Sequence, residues 1–466
     1  MFEDDDDSPI DDQLNQDLQQ FEAHLFGENL GFIDSDRLEA VIDHYLLSGE
    51  FTKAKKAAEI GRTNFSYNPI FDLRFIQSLS GLKQFDEALV ALSRINTDQI
   101  PPLELYITFA AIYMRTGTFD LAATYLVKAL SVCEVDDKPD LFLDLALAKQ
   151  KQRDFDGAIL VLEEALSDFS NHEAILYELG FLYDRIGNYD QSIAIYLRYL
   201  EESPYANMAW YNLGNAYSKI ENFEKAIWAY DYSILVFDEF SPVYFNMGNA
   251  YLSTEKYHQA IDCFKKVLSI DGDDPMALCY LGEAHEQLKE FDVAENYYHL
   301  CLSLDPKVSE AWLGLGIISD ITGNTVEAIK LIKKAISFDE DNASNHLVLA
   351  NAYHKCELRD EAEEHYVRSI ELDPEDAECL QDFVLFLLED SPLNALTFME
   401  NFQLDIENNP YFMLMYVHVL VHANRIDDAV LLFSSLVMVD REQAMKIIEW
   451  NPKLAYHKDF VNLLHE

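Results

Sequence analysis

Two histidines of this 466-residue chain have the spacing of metal ligands. His418 and His422 are four residues apart, and a helix would place both imidazoles on one face, where they can chelate one zinc ion. No third ligand is evident in the neighbouring sequence. The alternative is a pair of solvent-facing histidines in a chain that contains thirteen. The sequence therefore supports a metal site only as a minor hypothesis, and no cofactor is expected.

Motifs for other chemistry are missing from the sequence. It has no Gly-x-x-x-x-Gly-Lys phosphate loop, no Gly-x-Ser-x-Gly nucleophile turn and no His-Glu-x-x-His zinc helix. The six cysteines are scattered without a Cys-x-x-Cys pair, which favours reduced thiols. Glu283 and Glu286 are close in sequence, but acids are so frequent that a solvated acidic face explains them. We therefore expect a protein without enzymatic activity.

The charge of the chain disfavours several classes of partner. It has 34 Lys and Arg against 83 Asp and Glu, a formal net charge of −49. Nucleic acids and anionic membrane surfaces are bound through clustered cations, so neither is an expected partner. No stretch reaches the roughly 18 apolar residues of a membrane span, and Asp4 to Asp7 stand where a secretory signal has cations. We expect a cytoplasmic protein.

A period of 34 residues organises most of the chain. A small residue recurs at this step, and a second small residue lies twelve positions earlier, as Gly214 does before Ala226. The apolar residues around them follow the spacing of amphipathic helices. Each unit is therefore predicted to be two antiparallel helices that approach closely at the small residues. The recurring position is occupied by Ala158, Ser192, Ala226, Ala260, Ala294, Ala328 and Ala362.

The period defines about twelve units between residues 35 and 440. Their predicted starts lie near residues 35, 69, 103, 139, 173, 207, 241, 275, 309, 343, 377 and 410. The unit at 377 is degenerate because Leu396 fills the alanine position. Residues 1–13 are predicted to be a disordered acidic tail, and residues 14–34 to contain an N-terminal capping helix. Residues 441–466 are predicted to form capping helices at the other end, because a stacked array needs its last apolar faces covered.

These units resemble the tetratricopeptide repeat family. Residues 209–217, Ala-Trp-Tyr-Asn-Leu-Gly-Asn-Ala-Tyr, lie very close to that family's consensus, and Ala226 and Tyr230 follow at matching positions. The resemblance implies an all-α fold, a right-handed α-solenoid (superhelix) in which the first helix of each pair lines a concave groove. It implies binding of proteins or peptides, and it leaves the particular partner and the oligomeric state open.

The same resemblance directs attention to polar and aromatic residues on the first helices. In related repeats, stacked asparagines hydrogen-bond the backbone of an extended peptide. The candidate peptide-contacting residues are Tyr177, Tyr211, Asn212, Asn215, Phe245, Asn246, Asn249, Glu283 and Asn351. Aromatic side chains beside acids fit a segment that carries Lys or Arg. The predicted function is a non-enzymatic interaction scaffold for such a segment; the alternative is a regulatory or substrate-presenting subunit of an enzyme complex.

Overall fold

The fold is all-α throughout the residues that the structure describes, as the sequence predicts. A computed structural model describes residues 9–27, 31–97, 99–402, 409–451, 454–455 and 457–465. The regular elements in these ranges are helices. The chain divides into two compact units, Met1–Phe237 and Asp238–Glu466. Within each unit, successive helices pack as pairs in series, which is the arrangement of an α-solenoid.

In the described part of the first unit, one leading helix precedes six helix pairs. The helices are α1 (Pro9–Leu25), α2 (Ser35–Leu47), α3 (Phe51–Asn64), α4 (Ile70–Gly81), α5 (Phe85–Leu92), α6 (Pro102–Thr116), α7 (Phe119–Leu130), α8 (Lys138–Lys151), α9 (Phe155–Asp168), α10 (Glu173–Arg185), α11 (Tyr189–Glu202), α12 (Asn207–Lys219) and α13 (Phe223–Val236).

In the described part of the second unit, six helix pairs precede two further helices. The helices are α14 (Ser241–Ser253), α15 (Tyr257–Asp271), α16 (Pro275–Gln287), α17 (Phe291–Leu304), α18 (Ser309–Ile321), α19 (Thr325–Ile336), α20 (Ala343–Lys355), α21 (Arg359–Leu372), α22 (Ala377–Asp390), α23 (Pro392–Asn401), α24 (Pro410–His422), α25 (Ile426–Val439), α26 (Arg441–Trp450) and α27 (Lys458–His465). The first helix of each pair begins within one residue of a predicted unit start. The number of repeats and the superhelical hand stay predictions.

Small residues lie where the two helices of a pair cross. A Cβ atom on Gly282 would lie 2.6 Å from Cε1 of Tyr298, and one on Gly248 would lie 2.7 Å from Cζ of Phe264. Ala294 on the second helix of the Gly282 pair is fully buried. An aromatic ring therefore occupies the space that a side chain on the first helix would need, and the helices approach closely.

Many pairs are joined by a turn with one residue in the left-handed conformation. Between α16 and α17, Lys289 has a φ of 62°. Its amide donates to the carbonyl of Glu286 at 2.8 Å, and the next amide, of Glu290, donates to the carbonyl of His285 at 2.9 Å. This Schellman arrangement satisfies the last carbonyls of the first helix and reverses the chain. Other non-glycine residues with positive φ are Lys83, Arg153, Glu221, Glu255, Glu357 and Asn424.

Helix α1 covers part of the predicted acidic tail. Because it begins at Pro9, the prediction of disorder is wrong for residues 9–13; residues 1–8 lie outside the described residues. Proline is favoured in the first turn of a helix, where an amide hydrogen would have no partner. The buried ring of Phe21 lies 5.7 Å from that of Tyr45, and Asp17 pairs with Arg37, so α1 packs on α2.

At the other end, α26 and α27 follow the last helix pair. Ile447 and Phe460 are fully buried, and the ring of Phe460 lies 4.8 Å from that of Phe433 on α25. The two helices therefore cover apolar residues of α24 and α25. The assignment of 441–466 as a distinct cap stays a prediction. Among the described helices, none combines the length and apolarity that crossing a membrane requires.

Candidate functional site

The candidate residues lie on the first helices of their pairs. In the first unit α10 packs on α12, and in the second unit α14, α16, α18, α20, α22, α24 and α26 pack on one another in that order. Side chains on the shared side of these helices therefore form one surface within each unit. We call it the first-helix surface of that unit.

The asparagines of α12 hydrogen-bond other side chains of the first unit. Nδ2 of Asn212 donates to the hydroxyl of Tyr177 on α10 at 3.3 Å. The hydroxyl of Tyr230 on α13 donates to Oδ1 of Asn215 at 2.9 Å. The ring of Tyr211 lies 6.2 Å from that of Tyr230. Tyr177 and Asn212 are thus brought together from neighbouring pairs. These bonds give Asn212 and Asn215 a structural role, and their contact with a peptide stays a prediction.

The asparagines of the second unit differ in the hydrogen bonds that their side chains make. Asn351 on α20 accepts from the hydroxyl of Tyr366 and donates to Asp382 on α22 at 2.8 Å. Asn246 and Asn249 are half-buried on α14. The buried Oδ1 of Asn249 has no hydrogen-bond partner among the described residues. An unsatisfied buried acceptor is uncommon in folded proteins, and contact of Asn249 with a peptide stays a prediction.

Aromatic rings of α14 and α16 lie next to these asparagines. Phe245 packs edge-to-face against Tyr280, with ring centroids 5.5 Å apart, and against Phe264, with centroids 5.9 Å apart. Phe245 and Tyr280 are half-buried, so each ring retains an accessible edge on the first-helix surface. Such rings are suited to receive the apolar side chains of a bound segment.

Two carboxylates of α16 lie one helical turn apart, and neither is paired with a cation among the described residues. Burial raises the pKa of Glu283, and the carboxylate of Glu310 raises it further. Burial also raises the pKa of Glu286 to about 7, although the hydroxyl of Tyr298 donates to its Oε2 at 2.7 Å. Among the described residues, no Lys or Arg contributes to either shift. The prediction of a solvated acidic face is therefore wrong at Glu283 and Glu286, which are half-buried.

His418 and His422 lie beside each other on α24, with ring centroids 4.4 Å apart. His418 is only 6% exposed, so the solvent-facing alternative is wrong for this residue. Burial lowers the pKa of His418 to about 4, and its Nδ1 has no hydrogen-bond partner in the described ranges. Nδ1 of His422 lies 2.9 Å from the carbonyl oxygen of His418. Both rings line a cavity of about 340 Å³, together with Gln381, Leu385, Met415 and Trp450.

Metal binding by these histidines stays a prediction. Within the part of the chain that the structure describes, no group of three or more His, Cys, Asp or Glu side chains is arranged around a metal position. The cavity adds a thioether, an indole and an amide to the two imidazoles.

Sequence reasoning missed three residues of these sites for different reasons. Tyr298 stands fifteen residues after Glu283, as Tyr230 does after Asn215, so the period carried a signal for its position. Nothing in the sequence distinguished Glu310 as a site residue, because the chain contains 83 Asp and Glu residues. Trp450, which lies edge-on to His418 at 5.7 Å, follows the last repeat and therefore has no counterpart in the period.

Helix pairs in series, with amide, aromatic and carboxylate side chains along the first helices, define a helical-repeat protein of the class that binds other proteins. Sequence models described as tetratricopeptide repeat match residues 143–207, 182–242, 241–274, 277–308 and 346–378. These ranges of the chain are tetratricopeptide repeats, a type of repeat that supports a protein–protein interaction scaffold.

Several solved structures are similar to this chain. The anaphase-promoting complex hetero-tetramer Cut9–Hcn1 shares 14% identity over 91% of this chain and 97% of its own, with a TM-score of 0.43. The C-terminal part of a repeat protein from Cytophaga hutchinsonii shares 17% identity over 52% and 98%, with a TM-score of 0.46. YrrB, described as a repeat protein with an unusual peptide-binding site, shares 22% over 40% and 96%, with a TM-score of 0.30. The comparison with curated proteins gave no match.

Proposed function

We propose that this scaffold holds an extended, basic segment of a partner protein against the first-helix surface of its second unit. The observation that carries the proposal is the pair Glu283 and Glu286, half-buried carboxylates that lack a cationic partner among the described residues. A Lys or Arg side chain of the partner would supply that cation. The net charge of −49 attracts the same class of partner over a longer range.

Other residues near this pair would contact the rest of the segment. The half-buried Asn249 would turn its amide group toward the segment and hydrogen-bond a backbone group there. The rings of Phe245 and Tyr280 would receive an apolar side chain next to the basic one. This combination favours a segment in which basic and apolar residues are interspersed, because each type then meets a matching group.

The pKa of Glu286 gives the binding a pH dependence of known sign. In the free protein this pKa is about 7, so near neutral pH the carboxyl is protonated in part of the molecules. A bound cation favours the carboxylate and lowers the pKa, so binding releases a proton. The affinity for a basic segment should therefore increase as the pH rises from about 6 to about 8.

The direct test is the binding of extended peptides to the full chain, measured by calorimetry. A peptide that alternates Lys or Arg with apolar residues should bind, and its matched version with Glu in place of the cations should not. Glu283→Gln with Glu286→Gln should weaken binding about ten-fold. The matched control, Glu363→Gln with Glu364→Gln, removes two exposed carboxylates from α21 and should leave the affinity nearly unchanged.

Salt dependence provides the second readout. Between about 50 and about 500 mM salt the screening length falls from roughly 14 to 4 Å, so the affinity should fall steeply. Equal binding of the acidic peptide, salt-independent binding, or equal losses in the two double variants would each contradict the proposal.

A further inference from the structure

One residue that lines the cavity on α24, His418, has a buried ring nitrogen without a hydrogen-bond partner among the described residues. His418 is more than nine-tenths buried, it lines the cavity, and its Nδ1 has no hydrogen-bond partner among the described residues. A buried polar atom without a partner is uncommon in folded proteins and costs free energy. A ligand that bonds to this imidazole would remove that cost.

Three side chains of α24 with metal-binding donor atoms line the same cavity. Met415, His418 and His422 stand at positions i, i+3 and i+7, which places them on one face of the helix. The carbonyl of His418 accepts the Nδ1 hydrogen of a neutral His422, which leaves Nε2 of His422 as a lone-pair donor. His422 is exposed at the rim, so an ion can enter past it, whereas Met415 is buried.

We infer that this cavity is a copper(I) site, with Met415, His418 and His422 as its ligands. Thioether sulfur and neutral imidazole are soft or intermediate donors, the combination that selects Cu(I) among the common cellular metals. A structural zinc site needs four nitrogen, sulfur or oxygen ligands, and no group of three classical ligands is present among the described residues. The cost of burying an ion rises with the square of its charge, so a monovalent ion suits the apolar wall of Leu385 and Trp450 better than a divalent one.

The test is a competition titration with Cu(I) alone as the probe. The full chain, reduced and kept without oxygen, competes with a coloured Cu(I) chelator such as bicinchoninate. Cys133 and Cys356 are half-buried free thiols, and thiols compete for Cu(I), so both are changed to Ser in the test background. We expect one equivalent of Cu(I) bound, with an X-ray absorption spectrum of nitrogen ligands and one sulfur ligand.

Variants of the three ligands separate this site from adventitious binding. Met415→Leu nearly keeps the side-chain volume and His422→Gln changes an exposed residue, so both should fold normally by circular dichroism. Each should weaken Cu(I) binding at least ten-fold, and His418→Phe should abolish it. The matched controls Met438→Leu and His258→Gln alter an exposed methionine and an exposed histidine and should have no effect.

Three results would overturn the inference. One is undiminished Cu(I) binding in folded Met415→Leu and His422→Gln, which would place the ion on the remaining thiols. Another is a spectrum without the methionine sulfur. The third is tighter binding of Zn(II) than of Cu(I) under the same conditions, since a thioether and an apolar wall favour a soft monovalent ion.

Discussion

The α12–α13 pair and the α16–α17 pair share one packing scheme and differ in charge. In both, a glycine of the first helix lies against a buried tyrosine of the second, Tyr230 in one pair and Tyr298 in the other. The hydroxyl of Tyr230 donates to the neutral amide of Asn215, whereas that of Tyr298 donates to the carboxylate of Glu286. These two pairs thus share the glycine and the ring, whereas the side chain that accepts from the ring hydroxyl is neutral in one pair and acidic in the other.

The largest expected effect tests the shared part of the scheme. Gly282→Leu places a side chain where the Tyr298 ring lies, at 2.6 Å from the new Cβ, so the helices must separate. The free energy of unfolding should fall by about 3 kcal/mol, as for severe overpacking. Gly214→Leu should cost a similar amount in urea denaturation, and Gln287→Leu, at an exposed position of α16, should cost little. Unchanged stability of Gly282→Leu would contradict the close approach of α16 and α17 at this glycine.

The second effect separates the two pairs by the charge of the acceptor. Tyr298→Phe leaves the Glu286 carboxylate without its donor and should cost about 2 kcal/mol at pH 8, where the carboxyl is ionised. Tyr230→Phe removes a hydrogen bond to an amide and should cost about 1 kcal/mol. Only the first cost should shrink at pH 5, where Glu286 becomes protonated. If Tyr298→Phe lowered the free energy of unfolding equally at pH 8 and pH 5, the charge of Glu286 would not distinguish the two pairs.

The third effect concerns the pH dependence that Glu286 gives to folding. Its pKa is about 7 in the folded chain against a usual 4.5, so the folded state binds the proton more tightly than the unfolded state. Stability from this group is therefore fully present below pH 4.5 and is lost as the pH rises through 7. Glu286→Gln should be more stable than the parent at pH 8, by between about 1 and 2 kcal/mol. Thermal melts from pH 5 to 8 should show this gain, and Glu363→Gln should show none.

The smallest effect concerns the neutral pair. Asn212→Ala removes the 3.3 Å hydrogen bond to Tyr177, which is long and lies between half-buried side chains. The free energy of unfolding should fall by only about 0.5 kcal/mol, and equally at pH 5 and pH 8, because the bond joins an amide to a hydroxyl and involves no carboxylate. A decrease in the free energy of unfolding above about 2 kcal/mol, or one that changes with pH, would contradict the view that this hydrogen bond is weak and uncharged.

The packing scheme could be predicted from the sequence because it rests on residue size at fixed spacing. Gly282 and Ala294 stand twelve residues apart in a period that repeats along the chain, and size alone determines how closely the helices approach. The state of Glu286 could not be predicted in this way. Its pKa depends on burial by neighbouring pairs and on Glu310 near Glu283, which are contacts between residues without a periodic pattern.

At His418, too, a contact outside the periodic pattern could not be predicted from the sequence. The spacing of His418 and His422 was visible in the sequence, but their exposure was predicted wrongly for His418. The difference comes from Trp450 on α26, which packs edge-on against His418 from beyond the last repeat. A residue outside the period thus changes the chemistry of a residue inside it.

The left-handed turns between paired helices bear on how such a chain can change its length. The reversal after α16 is complete within residues 285–290, and its backbone bonds, like the contact of His285 with Glu290, lie within its own pair. A duplicated or deleted 34-residue segment therefore carries its own chain reversal and demands no new backbone geometry from its neighbours. Growth and loss by whole hairpins is open to this protein, and the cost of a non-glycine residue such as Lys289 in that conformation, roughly 1 kcal/mol, is inherited with each copy.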